Sequence, residues 1–298
     1  MSEISWIAAD WGTSNLRVWA LSDDDAVQDQ AENNQGMAKL APGSFEKALR
    51  EIIAPWHAKT LNVLACGMVG ARQGWVEAPY AQVPCKPDGT EPVAVTTSAS
   101  DLRVSVLPGL KQVKHPDVMR GEETQIAGFL RLNPNWDGVV CLPGTHSKWV
   151  HVSAGEVVSF RTFLSGELFA LLAYDSVLKH SVDTKDFDKE AFLSAVSDTL
   201  SKPAIFAAKL FELRASHLLN DTEASVSRSR LSGLIIGSEI AAAKPYWLGQ
   251  QVALIGAPYI CGYYAEALST LSVPTRSEDA GQMTLSGLIA ARHAHNLF

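Results

Sequence analysis

The sequence predicts a mixed α/β protein built as two lobes, on three observations. A chain of 298 residues is long enough for about two domains. Short apolar runs that favour extended backbone alternate with stretches whose apolar residues recur at helical spacing. The stretch Asp10-Trp-Gly-Thr-Ser-Asn15, set between two apolar runs, has a counterpart in Pro143-Gly-Thr-His-Ser-Lys-Trp-Val150, so each half of the chain carries a similar hairpin tip.

In the first hairpin, Trp6, Val18 and Trp19 favour extended backbone, and Gly12 with Asn15 supplies turn chemistry. Gly12 lets the backbone come close to a ligand, and the N–H groups that follow can point at phosphate oxygens. A carboxylate just before them, Asp10, would repel a bare phosphate but suits a hydrated Mg²⁺ that bridges to one. These residues alone also make an ordinary hairpin turn. The repeat at 143–150, after the apolar strand Gly138–Leu142, is what suggests two lobes gripping one polyphosphate from opposite sides.

Further along, Asp23–Asp25 reads as a solvated turn. Ser44 to His57 places Phe45, Ala48, Leu49, Ile52 and Ile53 on one helical face, between Gly43-Ser44 and Pro55. Leu61–Cys66 is a short buried strand that runs into the glycine-rich, basic stretch Gly67–Trp75. Residues 76–92, with four prolines, read as loop, and Val93–Val106 supplies short strands. Met119–Arg131 is a helix entered through Gly121, with Ile126, Phe129 and Leu130 as its stripe. Glu156–Arg161 is another strand. Helical patterns fill Gly166 to Lys244, broken near Asp183, Pro203 and Asn220. Val252–Gly256 is a strand, followed by a helix over Ala257–Leu268 with Pro258 in its first turn. Gly281–His295 is a closing helix of small residues.

Composition narrows the function. At 47% hydrophobic and 19% charged the chain is an ordinary globular one. Its net charge of −7 argues against a nucleic-acid or anionic-membrane partner, though not against a small anionic substrate in a cleft with a few basic residues. No apolar stretch is long enough to span a bilayer, and the N-terminus lacks a signal-type apolar block. Cys66, Cys85, Cys141 and Cys261 form no C-x-x-C pair and lie near no His at zinc spacing, which fits free thiols in a reducing compartment. The expectation is a cytoplasmic protein, with no oligomeric state set by the sequence. There is no G-x-x-x-x-G-K-[ST] loop, no G-x-G-x-x-G, no H-E-x-x-H and no G-x-S-x-G, so a nucleotide would have to be held by the paired hairpins.

Those hairpins, with the strand-to-helix turn Leu254-Ile-Gly-Ala-Pro-Tyr-Ile-Cys-Gly262, resemble the superfamily that joins actin, the Hsp70 ATPase and sugar kinases. Five motifs in order, Asp10–Arg17, Gly67–Tyr80, Met119–Gln125, Leu142–Trp149 and Leu164–Phe169, are similar to the 2-dehydro-3-deoxygalactonokinase family over essentially the whole chain. The resemblance implies a two-lobe actin-like (ribonuclease H-like) ATPase fold with a nucleotide cleft between the lobes. It implies ATP-dependent phosphorylation of 2-dehydro-3-deoxy-D-galactonate at its 6-hydroxyl, in galactonate catabolism, with Mg²⁺. The expected first lobe, 1–120, holds the first phosphate hairpin and the sugar-acid site. The second, 121–298, holds the second hairpin and the adenosine segment, with the final helix 281–295 returning to the lobe interface.

The residues implied follow from that chemistry. Asp10 would hold Mg²⁺ through water. Gly12, Thr13 and Ser14, with Gly144, Thr145 and His146, would donate to the phosphates, and Arg17 or Lys148 would stabilise charge or point to solvent. Gly256, Ala257 and Gly262 belong to the adenosine segment. Related carbohydrate kinases carry a Gly-Asp at the start of the helix before the second hairpin, the Asp being the base. Here the place reads Gly121-Glu-Glu123, which favours Glu122 and leaves Glu123 and Asp117 as alternatives. The acid group calls for an arginine fork, and Arg72, Gln73, Trp75, Glu77, Arg120 and Glu167 are the candidates, with Trp75 equally suited to packing. The rivals are a kinase of another 2-keto-3-deoxy sugar acid or of a sugar, and a non-catalytic, regulatory ATP-binding protein of the same fold.

Overall fold

The computed structural model describes residues 4–57 and 60–298. In chain order the elements are β1 (Trp6–Trp11), β2 (Leu16–Leu21), β3 (Val27–Asn33), α1 (Phe45–Ile52), β4 (Leu61–Gly67), β5 (Tyr80–Gln82), β6 (Val93–Val95), β7 (Leu102–Val106), β8 (Gly109–Gln112), β9 (Asp117–Met119) and α2 (Glu122–Leu132). There follow β10 (Gly138–Leu142), β11 (Ser147–Ser153), β12 (Glu156–Phe163), α3 (Ser165–Ala170), α4 (Lys189–Ser201), α5 (Phe206–Asn220), α6 (Ala224–Ala242), α7 (Lys244–Trp247), β13 (Val252–Gly256), α8 (Pro258–Ser269), β14 (Thr275–Asp279) and α9 (Ala280–Ala294). Among the described residues no helix is long and apolar enough to cross a membrane.

The chain divides into two compact units. The first is Met1–Asp137 with Val152–Ser159 and Ala280–Phe298, and the second is Gly138–His151 with Phe160–Asp279. The first has a six-stranded sheet ordered β3-β2-β1-β4-β7-β6, with β1, β4 and β7 parallel and β2 antiparallel to β1. A small second sheet, β5-β8-β9, lies in the same unit. The other large sheet is ordered β12-β11-β10-β13-β14, with β10, β13 and β14 parallel. Each large sheet thus sets three consecutive strands side by side and adds later strands beside the first of the three. This repeated α/β plan is the ribonuclease H-like plan of the actin-like ATPases.

Strand alternation explains the layers of the first unit. Ile7, Ala9 and Trp11 face the α1 side with Phe45 and Leu49. Trp6 and Ala8 face the other way, onto Leu288 and Ile289 of α9. Burial on both faces is why residues 6–9 of β1 read as an unbroken apolar run. In the second unit, Val139, Cys141, Val252 and Leu254 pack with Phe192 of α4, Ile236 and Ile240 of α6 and Tyr264 of α8.

Helices α2 and α9 belong to the same unit and touch backbone to backbone. A Cβ on Gly287 would lie 1.8 Å from the Thr124 carbonyl oxygen, and one on Gly128 would lie 1.9 Å from that of Met283. The small residues of the last helix are what allow so close a pairing. It also moves a boundary: α2 lies in the first unit, which runs to Asp137, rather than opening a second lobe at residue 121. Four strands had no counterpart in the sequence reading, namely β3, β8, β9 and β14, and β5 falls in the stretch read as loop. All four cysteines are free, three of them buried.

Candidate active site

In the first unit the hairpin tip is braced from one side. The carbonyls of Gly12, Thr13 and Ser14 accept from the N–H groups of Met37, Ala38 and Gly36, at 2.9 to 3.1 Å. Thr13, Ser14 and Asn15 are exposed. Among the described residues the Thr13 and Ser14 N–H groups have no backbone partner, so the tip offers donors on a fixed frame.

Asp10 is the next-to-last residue of β1, opposite Arg17 on β2 and Cys66 on β4. Burial lifts its carboxyl from the ordinary 3.8 to about 6; Arg17 pulls the value down, while Glu32 and Glu122 push it up. Two glycines make room beside it. Gly67 (φ 91°) ends β4, where a Cβ would lie 2.8 Å from the Trp11 carbonyl oxygen and 3.7 Å from Asp10 Oδ1. Gly121 (φ 106°) begins α2 with its Cβ position 3.3 Å from Gly67 Cα. Left-handed backbone at both points favours glycine, and it brings the ends of β1, β4 and the start of α2 together.

The three candidate bases separate at this point. Glu123 is 1% exposed, and both its oxygens accept the Gly121 N–H at 2.8 Å, which makes it a buried cap of α2. Burial first, then Glu122, push its carboxyl to about 7. Glu122 is half-buried, accepts the Arg120 N–H at 3.0 Å, and is the member of the pair whose charge is felt by Asp10. Asp117 lies on β9, paired with Gln112, and accepts the Val118 N–H at 2.8 Å.

The loop after β4 presents Arg72, Gln73 and Glu77 to solvent. Trp75 turns inward, stacked on Phe45 at 6.3 Å and edge-on to Trp11 at 6.0 Å, so its ring packs the core margin. Arg120, 9% exposed, fastens this loop: Nη2 donates to the Ala78 carbonyl at 2.7 Å, Nε to the Tyr80 hydroxyl at 3.3 Å, and the guanidinium covers the Tyr80 ring at 4.2 Å. Arg17 pairs with Glu32 at 2.9 Å.

In the second unit the other tip, Gly144–His146, is exposed in the same way. It too is braced by a later segment: the Glu167 N–H donates to the Thr145 carbonyl at 2.9 Å, and Gly166 sits against the Gly144 carbonyl. His146 Nε2 meets Glu167 Oε2 at 2.6 Å. Glu167 therefore belongs to the second hairpin, in a different unit from Arg72 and Arg120. Lys148 is 4% exposed, so it does not point to solvent.

A cavity of about 550 Å³ opens beside this tip, a size suited to a nucleoside. Gly144, Thr145, Phe187, Ser232, Tyr259 and Tyr263 are among its walls. Of the expected adenosine segment, Ala257 lines the cavity, Gly256 is buried behind Pro143, and Gly262 is exposed on α8 outside it. Phe187, Arg228 and Tyr174, which the sequence reading left unassigned, also line it.

Among the described residues no group of three His, Cys, Asp or Glu side chains is arranged as a metal site. Mg²⁺ needs no such group, since it keeps most of its waters and takes one or two carboxylates with substrate phosphates. The desolvated Asp10, with Glu122 nearby, is such a carboxylate.

Known proteins similar to this chain identify its family. The family model for 2-keto-3-deoxy-galactonokinase matches residues 10–291. A 2-dehydro-3-deoxygalactonokinase from Escherichia coli (strain K12) is 33% identical over 97% of this chain and 98% of its own. A Rhizobium meliloti (strain 1021) protein, provisionally named for the same activity, is 39% identical over 97% of both chains. A crystal structure from Sinorhizobium meliloti, provisionally assigned likewise, has a TM-score of 0.88 at 38% identity, covering 97% of this chain and 96% of that one. The Acidaminococcus fermentans (R)-2-hydroxyglutaryl-CoA dehydratase component A shares the fold alone, with a TM-score of 0.54 at 13% identity over 98% of this chain and 99% of that one. Fold and relatives define the class: an ATP-dependent sugar-acid kinase. The chain belongs to the 2-keto-3-deoxy-galactonokinase family.

Proposed function

We propose that the protein transfers the γ-phosphoryl group of ATP, with Mg²⁺, to the 6-hydroxyl of 2-dehydro-3-deoxy-D-galactonate, in the cytoplasm. The observation that carries the reading is the convergence of β1, β4 and the start of α2 at Gly67 and Gly121, which sets Asp10 within the field of Glu122, next to an exposed tip of backbone donors. Phosphoryl transfer asks for positioning, charge neutralisation and an acceptor for the hydroxyl proton.

Asp10 would hold Mg²⁺ through water, and the ion would supply neutralisation of the phosphate charge. In the first unit the Thr13 and Ser14 N–H groups are the donors suited to phosphate oxygens, the Gly12 N–H being spent on the Asn15 carbonyl at 3.0 Å within the turn; in the second unit those of Gly144, Thr145 and His146 are such donors. The nucleoside occupies the cavity of the second unit, which supports ATP binding there. Glu122 accepts the proton of the 6-hydroxyl while the new oxygen–phosphorus bond forms, and ADP leaves with the bridging oxygen. Arg72, with Gln73 and Glu77, meets the sugar acid, and Arg120 holds their loop in place.

The test is ADP release measured with 2-dehydro-3-deoxy-D-galactonate, with its gluconate epimer and without an acceptor, followed by phosphorus NMR of the product. Turnover that depends on the galactonate compound and yields the 6-phosphate is the expected result. Preference for the epimer, or hydrolysis that no acceptor accelerates, would overturn the proposal.

A further inference from the structure

Beneath the second hairpin lies a buried carboxylate that the transfer chemistry does not use. Glu239 of α6 is 3% exposed. Its Oε1 accepts the Trp149 indole N–H at 2.7 Å and its Oε2 accepts the Tyr264 hydroxyl at 2.7 Å. The hydroxyls of Ser165 and Ser147 also bond to it, and Ser147 Oγ lies 3.0 Å from the Tyr264 hydroxyl. A carboxylate has about four acceptor positions and no donor when ionised. The Trp149 indole and the Tyr264 hydroxyl thus occupy one oxygen each, with the Ser165 and Ser147 hydroxyls gathered around the same group.

The donors come from three elements that frame the cavity. Ser147 and Trp149 open β11, directly after the Gly144–His146 tip. Ser165 starts α3, whose next residue, Gly166, sits against the Gly144 carbonyl. Tyr264 lies on α8, and both Ser165 and Tyr264 line the cavity.

We infer that Glu239 is a positioning residue for the nucleotide: its carboxylate holds the second tip, the start of α3 and the cavity wall of α8 in the arrangement that receives ATP. The inference rests on the placement of ATP in the second unit. Glu239 itself touches no substrate.

The test compares Glu239→Gln, Tyr264→Phe and the double variant, using calorimetric binding of an ATP analogue with a non-transferable γ-phosphate and steady-state KM values for both substrates. Glu239→Gln turns an N–H₂ group toward fixed donors, and Tyr264→Phe removes one hydroxyl without changing ring shape. We expect each to weaken analogue binding about tenfold, the scale of one buried charged hydrogen bond. The double variant should be no weaker than Glu239→Gln alone, and the KM for the sugar acid should stay within about twofold. If Glu239→Gln fails to fold, Tyr264→Phe decides. Melting lowered with analogue binding unchanged, or both KM values raised together, would overturn the inference and show a structural role. Ser232→Trp, which fills the cavity without touching the carboxylate, tests the placement itself. Loss of binding there supports it, and retained binding would overturn the placement and the inference with it.

Discussion

Replacing Asp10 with Asn should make the protein more stable and nearly inactive. Asp10 is ionised at neutral pH in a place where burial disfavours charge, which lifts its carboxyl from 3.8 to about 6. A folded value above the unfolded one means that folding favours the protonated form. That contribution is complete below pH 3.8 and is lost as the pH rises through about 6. The difference between the two values corresponds to about 3 kcal/mol at neutral pH, to be discounted because Asp10 is only partly covered, so a gain of about 1–2 kcal/mol is a fair expectation. For a chain of this size that raises the melting temperature by about 2–5 °C. The gain should appear at pH 7.5, where wild-type Asp10 is charged, and vanish at pH 4, where it is largely protonated. Turnover should fall about a hundredfold or more, the scale for losing one pre-set electrostatic contact. Melting by calorimetry at the two pH values, with an ADP-release assay, reads both effects. A drop in melting temperature of several degrees at pH 7.5, or turnover near wild type, would refute the reasoning.

Arg72→Lys keeps the charge but loses the two-pronged donor, so the KM for the sugar acid should rise about tenfold while that for ATP stays unchanged in steady-state kinetics. Gly287→Ala pushes a methyl group into the Thr124 carbonyl, where a Cβ would lie at 1.8 Å, and should destabilise the first unit by about 3 kcal/mol or more in urea unfolding. Glu123→Ala removes the buried cap on Gly121 and should lower stability by about 1–2 kcal/mol with a smaller loss of kcat than any change at Glu122.

The parts of the fold that sequence made legible are those whose signal is local. Turn residues marked both tips, apolar runs marked β1, β4, β10 and β13, and the small residues around Gly287 marked a helix that packs closely. Two of the strands that escaped, β3 and β14, are polar. Val27–Asn33 and Thr275–Asp279 are Val-Gln-Asp-Gln-Ala-Glu-Asn and Thr-Arg-Ser-Glu-Asp, edge strands largely open to solvent with no apolar alternation to betray them. The boundary at 121 was misplaced because the choice depends on what α2 packs against, and that partner, α9, lies at the far end of the chain. The site follows the same division. Asp10 and the Gly121-Glu-Glu123 turn stood out as short motifs. Glu239 did not, since it sits in an apolar helix and its partners at 147, 149, 165 and 264 come from distant segments. The cavity walls at Tyr174, Phe187 and Arg228 are likewise scattered over a run that shows only helical periodicity. Trp75, offered as a substrate contact, illustrates the converse: its neighbours Trp11 and Phe45 claim the ring for packing.

The central claim is that Glu122, at the start of α2, takes the proton of the acceptor hydroxyl. Glu122→Gln preserves shape and the bond from the Arg120 N–H while removing the base. Single-turnover phosphoryl transfer with saturating ATP and 2-dehydro-3-deoxy-D-galactonate measures that step apart from product release. We expect the rate constant to fall about a hundredfold or more in Glu122→Gln, with ATP affinity intact, and to change far less in Glu123→Gln and Asp117→Asn. A near-normal rate in Glu122→Gln, with transfer abolished in either of the other two, would contradict the account and give the proton to that residue.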